Sequence, residues 1–174
     1  MIYMEADQFL DKLNIWLRSA IPFIIVLLFI LFGISPTKVS GLVEVLPIYS
    51  IIGAYYWSVY KPDLFSYGSG FSLGLIEDIL FGLALGSSSL TILTVQWVIF
   101  NQQKLFSDDS FKNTWLAFSF ICFAALILKW VIISILSETS FSSLIDLLFT
   151  YILTLAFYPF SAWVFTKVRN LVFT

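Results

Sequence analysis

The sequence predicts an all-α integral membrane protein, a compact bundle of about six transmembrane helices in one domain spanning residues 1–174. Three observations carry that prediction. The chain is 60% hydrophobic and only 11% charged, with a mean hydropathy of +0.96, far outside the soluble range. Its 19 Phe, 8 Tyr and 6 Trp exceed what one core of this length can hide, so lipid must cover the remainder. The apolar residues also fall into about six blocks near the ~20 residues that cross a bilayer.

Taken in order, the spans are expected at Trp16 to Gly33, Leu42 to Tyr60, Leu64 to Leu85, Ser88 to Phe106, Thr114 to Leu136 and Phe141 to Phe165. Before the first, residues 1–15 form a short amphipathic segment. Phe9, Leu10, Leu13, Trp16 and Leu17 recur at helical spacing opposite Asp7, Asp11, Lys12 and Asn14, as in a helix lying at the interface. With Glu5, Asp7 and Asp11 in place of a basic leader, it does not read as a cleavable signal peptide. Ser35-Pro36 and Pro62-Asp63 interrupt helices, Gly86-Ser87-Ser88-Ser89 reads as a tight turn, and Ser107-Asp108-Asp109-Ser110 as a polar loop.

Six spans put both termini on one side together with the second and fourth loops. Those segments hold Lys12, Arg18, Lys61, Lys104, Lys112, Lys167 and Arg169, while the opposite loops hold only Lys38. Basic residues of short loops stay in the cytoplasm, so both termini are expected there. Trp16, Trp57, Trp97, Trp115 and Trp163 fall toward the same side, where indole rings favour the headgroup region.

Several chemistries are excluded. A net charge of -2 and a pI near 4.9 offer no basic face for nucleic acid. With no histidine and a single cysteine, Cys122, there is no internal disulfide, zinc cluster or His-based dyad, and neither a metal nor a cofactor is expected.

The unusual residues are Glu77 and Asp78, two adjacent acids inside the apolar third span. Each costs about 2.5–3.5 kcal/mol near the middle of a membrane helix, so they should face protein or a wet cavity. Gly70, Gly74, Asp78, Gly82 and Gly86 recur at every fourth position. On one helix they form a row of small residues along which a neighbouring backbone, or a second copy of the chain, could approach closely. Lys129 of the fifth span lies at a matching depth, and Asp146 enters the last span from the same outer side. A polar cluster of Glu77, Asp78, Lys129 and Asp146 is expected, the alternative being that Lys129 and Asp146 snorkel to the interface. Neighbouring acids diverge by about 100° around a helix, so Glu77 and Asp78 cannot flank one scissile bond as a hydrolase pair does. No enzymatic activity is expected.

The order Leu46-Pro47-Ile48-Tyr49, Gly53-Ala54-Tyr55-Tyr56-Trp57, Tyr60-Lys61-Pro62-Asp63, Gly74-Leu75-Ile76-Glu77-Asp78-Ile79-Leu80-Phe81-Gly82 and Leu85-Gly86 resembles the rod shape-determining protein MreD family. The resemblance is clearest from Leu46 to about Leu90. It implies a non-enzymatic subunit of the cell-wall elongation complex in the bacterial inner membrane, beside MreC, a RodA-type glycosyltransferase and an elongation transpeptidase. It also implies the six-helix fold of the substrate-binding components of vitamin transporters. On that likeness Pro47, Tyr56, Trp57 and Pro62 carry the motif, with Tyr55 to Pro62 at the cytoplasmic end of the second span, and Glu77 and Asp78 build a core or partner surface. The rival reading is a vitamin-uptake binding component. Against it, Ala20 lacks the Ala-x-x-x-Ala mate used for docking in such proteins.

Overall fold

The computed structural model describes residues 20–33, 46–102, 111–136 and 144–173. Among them are six helices and no strand: α1 (Ala20–Gly33), α2 (Tyr49–Tyr60), α3 (Tyr67–Phe81), α4 (Ser87–Asn101), α5 (Phe111–Leu136) and α6 (Leu144–Phe173). Helices α5 and α6 are long and apolar enough to cross a membrane, over Lys112–Leu136 and Ile145–Val172; α1 is apolar but shorter. The amphipathic segment expected at residues 1–15 lies outside the described residues, as do Lys38 and Lys104.

Helix α2 is the centre of the bundle. Every residue from Tyr49 to Ser58 is buried, so no face of it is left for solvent or lipid, which is why it is apolar all round. It packs against α3, α4, α5 and α6, and α1 comes close at Gly53, where an added Cβ would strike the Val26 side chain. Its start is set by Pro47, which keeps the preceding chain out of the helical region. Ile48 is extended (φ -85°, ψ 90°), and its N–H donates to Thr154 Oγ1 of α6 at 3.2 Å. At the other end the Lys61 N–H closes the last turn on Trp57 O at 2.9 Å before Pro62 stops propagation.

The core is aromatic. Tyr55 stacks edge-on against Phe118 of α5 and Tyr158 of α6, and Phe118 and Tyr158 lie nearly parallel with centroids 4.1 Å apart. Two of the buried tyrosine hydroxyls find partners, as most buried polar groups do. Tyr55 donates to Thr114 O at 2.9 Å, and Tyr56 shares a 2.8 Å hydrogen bond with Thr166. Tyr55, Tyr56 and Trp57 are at most 1% exposed, so they build the core, not an interfacial belt. Trp97, Trp115 and Trp163 are exposed, and Lys167 sits over the Trp163 ring at 5.0 Å.

The expected span boundaries need correction. The second, third and fourth helices run 12, 15 and 15 residues, about 18–23 Å at 1.5 Å per residue, shorter than the apolar blocks that contain them. Extended Leu46-Pro47-Ile48 and the turn Gly82–Gly86 are as apolar as the helices they interrupt, so hydropathy does not separate them. Ser87, Ser88 and Ser89 form the first turn of α4 and not a turn between helices. The last helix does not stop near Phe165 but continues to Phe173, passing through Pro159.

The charges divide between two ends of the bundle. The Tyr55–Thr114 and Tyr56–Thr166 bonds and the Arg169 guanidinium over Tyr60 at 4.8 Å bring the end of α2, the start of α5 and the end of α6 together. That end carries Lys61, Lys112, Lys167 and Arg169 with Asp63, whereas Glu77, Asp78, Lys129 and Asp146 lie toward the other.

Candidate assembly site

Helices α3 and α4 form an antiparallel hairpin, and small residues set how closely they pack. At Gly74 a Cβ would collide with the backbone N and Cα of Ser89 and lie 2.7 Å from its Oγ. At Gly70 it would meet the Gln96 amide and, at 3.0 Å, Ile92 Cγ2. Close approach lets α4 side chains reach the α3 backbone, a favoured packing mode in membranes. Ser89 Oγ donates to Phe71 O at 3.0 Å. Gln96 Nε2, fully buried, donates to Phe65 O and Ser66 O at 3.3 and 3.2 Å, fixing the entrance to α3.

Gly82 and Gly86 have a different role from Gly70 and Gly74. Helix α3 ends at Phe81, so the small-residue row does not run on to position 86. Both glycines take positive φ (63° and 94°), and a Cβ at either would meet nothing within 4 Å. They are present for backbone conformation: Gly82 gives the left-handed residue that ends α3, and Gly86 turns the chain into α4.

Asp78 organises that turn. Its carboxylate is fully buried and accepts from Gly86 N at 2.7 Å through Oδ2, and from Ser87 Oγ and Ser88 N, both at 3.0 Å, through Oδ1. It thus does for α4 what an N-cap side chain does, supplying acceptors to free N–H groups and a negative charge to the positive end of the helix dipole. The acceptor comes from the preceding helix because the cap residue itself is Gly86.

Glu77 faces another neighbour. Its Oε1 lies 2.8 Å from Lys129 Nζ of α5, with Glu77 5% and Lys129 8% exposed. Glu77 Oε2 is buried and has no hydrogen-bond partner among the described residues. Ion pairs of this kind gain little net stability over an apolar pair, but losing one partner is costly. The expected four-residue cluster is therefore divided: Lys129 pairs with Glu77, while Asp78 is engaged by Gly86, Ser87 and Ser88. Asp146 stands half-buried in the first turn of α6, where an acid complements the helix dipole.

Of the motif residues, Pro47, Tyr56 and Trp57 are buried around α2, and Pro62 is half-buried in the α2–α3 turn. Sequence reasoning missed Gln96, the close packing of Gly53 on Val26 and the hydrogen bonds made by serines 87–89. A lone glutamine within an apolar block was the available signal for Gln96, since an amide there must find partners inside the protein.

The central buried helix, the glycine-packed hairpin and its two acids all lie within residues 13–168, which match a family model described as rod shape-determining protein MreD. The chain belongs to the MreD family. That match covers nearly the whole chain and reaches all six helices, and MreD proteins are rod shape-determining membrane proteins. No curated protein and no solved structure matches the chain.

The Asp78 network gives a graded expectation. Asp78→Ala removes every acceptor and lowers stability by about 2–3 kcal/mol, the loss of a cap together with charge-assisted bonds. Asp78→Asn keeps one carbonyl oxygen and should lose about half as much. Thermal unfolding in detergent ranks the two variants; equal losses would show that the acceptors are not what matters.

Proposed function

We propose that this protein is a non-enzymatic, multi-pass subunit of the bacterial cell-wall elongation complex in the inner membrane. In this reading six helices cross the bilayer with both termini in the cytoplasm, as in the substrate-binding components of vitamin transporters. It acts by assembly with MreC, a RodA-type glycosyltransferase and an elongation transpeptidase. The observation that carries the reading is the MreD match over residues 13–168. The orientation draws support from the basic end formed by Lys61, Lys112, Lys167 and Arg169. The helix-packing surface assigned to this role is α3, with Gly70, Gly74, Glu77 and Asp78 holding its inner face against α4 and α5.

Depletion from a rod-shaped host should give rounded cells, and purification in mild detergent should capture wall-elongation proteins. Cells that stay rod-shaped after depletion would contradict the proposal. Capture of an ATP-driven uptake module instead would favour the vitamin-binding alternative, which no feature of the site supports at present.

A further inference from the structure

Helices α5 and α6 run side by side in opposite directions. Ser119 and Tyr151 share a 2.6 Å hydrogen bond, and the Phe118 and Tyr158 rings stack at 4.1 Å, which fixes the relative height of the two helices. From that level Lys112 lies about 9 Å and Lys167 about 14 Å toward the basic end, at 1.5 Å per residue. By the same measure about 32 Å of α6 separate Lys167 from Asp146, close to the ~30 Å thickness of the hydrocarbon layer. With Asp146 at one boundary of that layer, both lysines reach the headgroups at the other.

Each lysine stands near an indole on the outside of the bundle. Trp163 is 60% and Trp115 41% exposed, and both lysines are exposed. Lys167 falls two turns beyond exposed Phe160, on the outward side of α6. Lys112 falls two turns before Ser119, on the side of α5 turned to α6. Lys167 Nζ lies 5.0 Å from the Trp163 ring centroid, a contact that places the charge without neutralising it. Among the described residues neither lysine forms an ion pair with a carboxylate. Helix α5 contains no acid, and that of α6, Asp146, is at the opposite end.

We infer that the basic end of the α5–α6 face binds anionic phospholipid headgroups of the cytoplasmic leaflet. Lys112 and Lys167 each engage a phosphate, and Trp115 and Trp163 pack beneath them at the glycerol level. The consequence is a preference for anionic over zwitterionic headgroups, which the bias of basic residues toward one side does not itself require. Lipid fits better than an acidic protein segment because the lysines and indoles face outward at the depth where headgroups already lie. The inference rests on the reading in which six helices cross the membrane with both termini in the cytoplasm.

The test is native mass spectrometry of the full chain in mild detergent, titrated with phosphatidylglycerol or phosphatidylcholine of the same acyl composition. The parent should retain phosphatidylglycerol in preference. Lys112→Gln and Lys167→Gln should each weaken that retention about fivefold and leave phosphatidylcholine unchanged; both side chains are exposed, so the fold should not be disturbed. Arg169→Gln removes a charge held over Tyr60, away from this face, and should change retention less than twofold. Equal retention of the two lipids would overturn the inference, as would an equal loss in the Arg169 variant, which would mean a diffuse field and no site. Asp108 and Asp109 precede α5 in sequence. An unchanged preference in Lys112→Gln would mean that such acids, and not lipid, take its charge, and would overturn the two-helix site. Sidedness is read separately from Asn170→Cys with Cys122→Ala, which an impermeant maleimide should label in inverted vesicles and not in intact cells. Labelling of intact cells would refute the cytoplasmic placement of the termini and with it the leaflet assigned here, whereas loss of the lipid preference alone refutes the site.

Discussion

Replacing Lys129 with methionine should destabilise the folded protein by about 3–5 kcal/mol, the range seen when one partner of a buried ion pair is removed. The cause is what remains: Glu77, 5% exposed, keeps a carboxylate whose Oε2 has no partner among the described residues and whose Oε1 loses the Lys129 ammonium. Glu77→Gln should be costly for the reciprocal reason, stranding an ammonium on α5. The double variant Glu77→Gln/Lys129→Met leaves no buried charge, so it should recover most of the loss. A strongly non-additive cycle in detergent unfolding is therefore expected. If the two losses simply add, the pair does not act as a unit.

The second large effect is steric. At Gly74 the obstruction is backbone, the N and Cα of Ser89, which no rotamer change relieves. Gly74→Ala should cost about 1–3 kcal/mol, the usual penalty for overpacking, and Gly74→Leu should prevent the hairpin from closing. Gly70→Ala meets mostly the Gln96 side chain, which can swing aside at the expense of its bonds to Phe65 and Ser66. Gly82→Ala has open space around it but must hold φ near 63°, a strain of roughly 1–2 kcal/mol for a residue with a Cβ. Stability should fall in the order Gly74→Leu, Gly74→Ala, then Gly70→Ala. A Gly74→Leu protein that expresses and melts like the parent would refute the close approach of α3 and α4.

Much of this architecture is legible in the sequence where counting suffices. Helix α5 stands out because its apolar block has no competing backbone signal, and α6 stands out by its length and apolar content despite Pro159. Lys129 could be set level with Glu77 because both helices run in the same direction and residues convert directly to height. Counting fails where chain direction changes within apolar sequence. The period of four among Gly70, Gly74, Gly82 and Gly86 conceals two different uses, helix contact in the first pair and left-handed backbone in the second. Asp78 could not be matched to its donors, because they belong to Gly86, Ser87 and Ser88 and arrive only through the turn that those glycines create. Trp57, read by its position as interfacial, is instead fully buried; its depth depends on neighbours that approach α2 from every side, which no single helix's pattern records.

Charge reversal in living cells is the most direct test of whether α3 is held inside the bundle through Glu77 and Lys129. Glu77→Lys alone and Lys129→Glu alone should each abolish accumulation of the protein and rod shape, while the combined exchange should restore both in good part. Two single reversals that support growth as rods, or an exchange no better than either, would contradict it.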